Sequence, residues 1–169
     1  MKARFVTKAA LSALALAFAG TLPGVAQQTA APAVDSVKAS AVEKVFIVKM
    51  ADIVQAGLKA GALDVKAVSG VLNEAVKADV SDRVMGAMVS MAAGAFPSSA
   101  PAVASAAVRS YGSNIREGHV RNVIASAVSS QSNPYASVAP ISEAVEKVLG
   151  NSPVAAAVSS IAVDVAAQT

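Results

Sequence analysis

Apolar positions recur along the chain at the spacing of one helix face. In residues 120–128, Val120, Val123, Ile124, Ala127 and Val128 fall at i, i+3, i+4, i+7 and i+8, with Arg121, Asn122 and Ser126 between them. That pattern lays five apolar side chains along one side of an α-helix and leaves the other side wet. The same template fits residues 50–58, 68–76, 84–92, 100–108, 141–149 and 154–162, with starts 13 to 21 residues apart. No run alternates with period two, so a mainly β fold is not expected. The chain is predicted to be all-α, with about six to seven short amphipathic helices following a cleaved signal peptide. An array, in which helices stack in succession, and an irregular bundle around one common core both fit this spacing.

Punctuation between the stripes sets the expected boundaries. A first helix is predicted to begin after Asp35 or Ser36, with Val42, Val45, Phe46, Met50, Ile53, Val54 and Leu58 as its buried stripe and Gly57 and Gly61 at its end. Asp64 is expected to cap the second helix, and Asp79 and Asp82 to cap the third, which carries Met85, Met88 and Met91. Pro101 suits the first turn of a fourth helix, with Ser98 or Ser99 as its cap. Pro140 is expected to open the sixth helix, with Glu143 and Lys147 paired on its wet side, and Ser152-Pro153 to open the last.

Composition narrows the class. Hydrophobic residues make up 54 % of 169, which fits a single folded domain, whereas aromatics are only 4 %. Roughly four residues in ten are Ala or Val, so the core is built from small side chains and each helix buries little area. Short helices of this kind gain stability only by stacking. Residues 1–26 read as a signal peptide: Lys2, Arg4 and Lys8 lead an apolar stretch at 9–19, and Gly24-Val25-Ala26 offers small residues before a mature start at Gln27. Residues 27–33 are expected to be a disordered leader, and 34–169 a single helical domain. A periplasmic or secreted bacterial protein follows, and with no Cys in the chain there is no disulfide or lipid-anchored cysteine. The formal charge of +3 belongs to the signal peptide, because the remaining 11 basic residues balance 11 acidic ones. Nucleic acid is therefore not an expected partner, since no Lys/Arg cluster is present to displace counterions.

Candidate chemistry is sparse. The sole histidine, His119, has no glycine-flanked serine elbow, and a single His without Cys is too few ligands for zinc. Asp79 and Asp82 lack the oxygen-rich loop that calcium needs. No phosphate-binding glycine loop occurs, so no cofactor and no metal are expected, and the protein is not expected to be an enzyme. The stretch 109–122 is the most polar and least periodic in the chain. Its Arg109, Tyr111, Arg116, His119 and Arg121 form a candidate ligand-binding set, because Arg forks suit a carboxylate or phosphate. The competing alternative is a solvated connection between helices.

The runs Ser90-Met91-Ala92-Ala93-Gly94-Ala95-Phe96-Pro97, 123–129 followed by Asn133-Pro134, and 143–149 followed by Ser152-Pro153 resemble Ala/Val-rich helical repeats closed by Pro, as found in exported bacterial proteins of uncharacterised role. The resemblance spans about residues 68–162 and implies no catalytic residues. Together these features predict a structural or interaction module that associates with itself or with another envelope protein. A membrane-surface or lipid-binding protein is the alternative, prompted by a mean hydropathy of +0.55 and the Met run.

Overall fold

The computed structural model describes residues Ser40–Gln168. The predicted signal peptide and leader lie outside the described residues, so the structure does not bear on them. Seven α-helices and no strand occur among the described residues: α1 (Ala41–Ala60), α2 (Val65–Lys77), α3 (Asp82–Ala95), α4 (Ala100–Tyr111), α5 (Glu117–Ser129), α6 (Pro134–Leu149) and α7 (Val158–Ala167). Short 3₁₀ turns at Pro97–Ser99, Gly112–Asn114 and Pro153–Ala157 lead into or out of them. The all-α expectation holds.

Packing follows the order of an array. Each helix lies against the one two places further on: α1 on α3, α3 on α5, α5 on α7 in one layer, and α2 on α4, α4 on α6 in a second. Cross-helix hydrogen bonds give the step. They join residues 38 positions apart (Ser81 to Glu43), 40 apart (Asn122 to Asp82), 36 apart (Ser90 to Ser126) and 39 apart (Ser105 to Ala144). One step is therefore a helix pair of about that length, as in stacked helical repeats. Between the layers lies one core, in which Met50, Leu72, Met85, Met88, Ile124, Ile141 and Ile161 are the largest fully buried side chains. The stripes expected for α2, α4 and α5 are buried there, apart from Val76, which is half-buried at the margin of the core.

Within the first layer, neighbouring helices run in the same direction and approach closely. Gly86, Ser90 and Gly94 of α3 face Asn122 and Ser126 of α5 and Ser130 just after it. A methyl group on Gly86 would stand 2.7 Å from Ser126 Oγ and 2.9 Å from Asn122 Oδ1. Small side chains on both helices permit this approach, and polar atoms bond across it: Ser90 Oγ donates to the Ser126 carbonyl at 3.1 Å, and Gln131 Nε2 to the Ala93 carbonyl at 3.2 Å. At Gly57 the same device admits Phe96, whose Cζ lies 2.9 Å from where a Cβ would sit.

Several boundaries differ from expectation. The cap of α1 is Ser40, which forms a reciprocal capping box with Glu43; Asp35 and Ser36, after which the helix was expected to begin, lie outside the described residues. The predicted stripe of α1 is wrong at Val42, Val45 and Leu58, which are exposed, because among the described residues α1 is the first helix of its layer and packs against helices on one side only. Pro140 does not open α6. Pro134 does, behind an Asn133 cap, and Pro140 sits exposed inside the helix. No ion pair joins Glu143 to Lys147 among the described residues; the Glu146 carboxylate instead accepts from Ser159 Oγ at 2.7 Å. Ser99 precedes α4 without a side-chain cap, since the 3₁₀ turn at Pro97–Ser99 leads directly into the helix.

Candidate functional site

The polar stretch 109–122 is mostly helical. α4 continues to Tyr111 and α5 begins at Glu117, leaving only residues 112–116 as a connection, so a long solvated loop is not what the chain builds. The turn at Gly112 (φ 53°) reverses the chain and sets Tyr111 against His119. Their rings stack with centroids 4.2 Å apart and planes 8° from parallel. Tyr111 is buried and His119 half-buried.

A third residue completes the cluster. Asp82, the first residue of α3, accepts a hydrogen bond from Tyr111 Oη at 3.1 Å and lies 3.8 Å from His119 Nε2. The Asp82 carbonyl accepts from Asn122 Nδ2 at 2.6 Å. His119 Nδ1 accepts from the Arg116 backbone N–H at 3.3 Å, which assigns the neutral ring its proton on Nε2, facing Asp82. Burial and then the Asp82 charge push the Tyr111 hydroxyl well above the ordinary tyrosine range, so it stays a donor. The anionic group that this Tyr and His face is the chain's own Asp82 carboxylate.

The arginines do not converge on that cluster. Arg121 reaches Glu117 one turn away at 3.6 Å, with both side chains half or more exposed, a pair worth a few tenths of a kcal/mol. Arg109 and Arg116 are exposed. The structure therefore brings Tyr111 and His119 of the predicted set together and adds Asp82 and Asn122, which sequence reasoning assigned to capping and to a wet helix face. The 40-residue separation of Asp82 and Asn122 was the available signal, legible only once the step of the array is known.

A parallel clamp joins α1 to α3 at the same edge. Glu43 Oε2 accepts from the Ser40 N–H at 2.8 Å, and Oε1 accepts from both the N–H and the hydroxyl of Ser81. One carboxylate thus satisfies the starts of two helices, where free amides and the helix dipole favour negative charge. These bonds, led by the Ser81 hydroxyl, bring the Glu43 carboxyl from 4.5 down to about 2. A lowered folded value means that the stabilisation is complete above about pH 5 and fades as the pH falls towards 2. Glu43→Gln is expected to lower the melting temperature at pH 7 and to lower it much less at pH 2.5, as read by thermal circular dichroism.

Tyr111→Phe tests the second clamp. The ring still stacks on His119, and only the bond to Asp82 is lost, so a destabilisation of about 1 kcal/mol is expected by denaturant titration. No loss would mean that Asp82 contributes nothing to holding α3 against α4.

At the far end of α3, an open groove of about 330 Å³ is lined by Pro97, Pro101, Pro140, Gln131, Asn133 and Ser137 among others, none of them ionisable. No group of three His, Asp or Glu side chains able to hold a metal occurs among the described residues, nor is any helix there long and apolar enough to cross a membrane. Comparison with protein-family models, with curated proteins and with solved structures finds no match for this chain.

Proposed function

We propose that the protein is an exported, non-catalytic interaction module that works by associating with copies of itself. The observation that carries this is how its reactive side chains are used. Asp82, Tyr111, His119 and Asn122 bond to one another, and Glu43 and Ser81 do likewise, so the polar groups of the best candidate site join helices to helices. An array built in this way offers faces and ends rather than a reaction centre. Export is supported by the charged, apolar and small-residue succession of residues 1–26. Sedimentation of the exported protein over a micromolar to millimolar range is the test. A concentration-dependent shift from monomer to a larger species is expected; a monomer at every concentration would remove the proposal.

A further inference from the structure

We propose that His119 makes the start of α5 a pH-operated joint: on protonation the ring lets go of the Arg116 N–H and is held by the Asp82 carboxylate alone. The inference does not depend on self-association.

Helix starts elsewhere in the structure are closed by hydroxyl, carboxylate or amide oxygens: Ser40 and Glu43 at α1, Asp64 at α2 and Asn133 at α6. Such oxygens keep a lone pair to offer across the neutral pH range. At α5 the acceptor is an imidazole nitrogen. Arg116, the residue before the helix, donates its N–H to His119 Nδ1 at 3.3 Å, so His119 stands where a capping box has Glu or Gln. It is the chain's one histidine, and histidine is the side chain whose ordinary titration falls between pH 5 and 8.

Protonation reverses the role of that nitrogen. The neutral ring already carries a proton on Nε2, so the added one goes to Nδ1 and both nitrogens become donors. Two N–H groups then face each other across 3.3 Å, and the bond is lost. The new charge also lies in the first turn of α5, where the helix dipole disfavours a cation. At the other edge of the ring, Asp82 Oδ1 is 3.8 Å from Nε2 and attracts the charged form more than the neutral one. Stacking on Tyr111 keeps the ring in its plane. The ring therefore stays with α3 while it parts from Arg116.

The groups around His119 are few. From α3 the charged group facing the ring is Asp82, and from α4 the titratable group is Tyr111, which burial and Asp82 keep protonated. Within α5, Glu117 is turned to Arg121. No ion pair from α6 or α7 reaches the ring among the described residues. The connection itself is lightly held: Gly112, Ser113, Asn114 and Arg116 are exposed, and Ile115 packs at the margin of the core. Release at Arg116 frees this joint, while the bonds of Asn122 and Ser126 to α3 lie further along the helix and persist.

NMR of the exported protein between pH 8 and 5 is the test. As the His119 ring titrates, the Arg116 amide is expected to lose about fivefold in protection, corrected for the pH dependence of exchange itself, the weight of one ordinary hydrogen bond. His119→Gln places an amide oxygen where the imidazole nitrogen was and should hold the Arg116 amide equally at every pH. Asp82→Asn should lower the melting temperature more at pH 5.5 than at pH 8, because the charged ring draws more on the carboxylate. A ring that titrates without a change at the Arg116 amide overturns the joint, as does a ring that stays neutral down to pH 5. A response that persists in His119→Gln assigns it to a neighbouring carboxylate and overturns the proposal. Equal losses from Asp82→Asn at the two pH values overturn the part given to Asp82.

Discussion

Gly86→Leu is expected to cost more than about 3 kcal/mol and to leave little folded protein. At this position even a Cβ would lie 2.7 Å from Ser126 Oγ. Leucine adds three further carbons to a gap that does not hold the first. The helices α3 and α5 must then separate along the layer. Overpacking alone costs ~1–3 kcal/mol and occasionally more. Separation also breaks the Asn122 bond to the Asp82 carbonyl and the Ser90 bond to the Ser126 carbonyl, at about 1 kcal/mol each. Gly86→Ala is the informative partner. Alanine favours the helix by ~1 kcal/mol, but its methyl displaces Asn122, so Gly86→Ala/Asn122→Ala should be more stable than the two single changes sum to. Thermal denaturation reads all of them. A Gly86→Leu protein that melts with the parent would mean that α3 and α5 do not approach as described.

Ile124→Ala is expected to remove ~2–5 kcal/mol. Ile124 is fully buried in α5, the helix that touches α3, α4, α6 and α7. Its neighbours in the core are largely valines and alanines, whose short, stiff side chains cannot move into the vacated space. The cavity therefore persists, which puts the loss towards the upper part of that range. Ile124→Val should cost about 1 kcal/mol, and Val45→Ala, on the exposed face of α1, close to nothing. Urea titration would order the three. Equal effects at Ile124 and Val45 would be incompatible with the burial described here.

How much of this was legible beforehand depends on the range of the interaction. The stripes of α2 and α5 were readable because a helix face is set by neighbours three and four residues apart, and Asp64, Gly61 and Ser152 act within their own turn. Pro140 misled for a related reason: the ring favours a first turn, but an exposed helix tolerates it further in, and Asn133-Pro134 supplied the start. Val42 and Val45 carry the right period, yet period alone does not say whether a second helix lies alongside. The clamp of Asp82 with Tyr111, His119 and Asn122 was hidden in part: Tyr111 and His119 were found together because they are close in sequence, whereas Asp82 comes from a helix 29 positions before Tyr111 and meets it only through the stacking step. Glu43 escaped notice for the same reason, being 38 positions from Ser81.

That step has a kinetic side. No substantial helix pairing in the described residues reaches past the second neighbour, so contact order is low, and little loop entropy is lost before each new helix finds its place. Assembly can begin at any adjacent trio and spread in both directions. Opening proceeds the other way: α1 and α7, each held from one side of its layer among the described residues, can detach while α3, α4 and α5 stay together. The outer helices of such an array breathe on their own schedule, and its middle sets the lifetime of the whole.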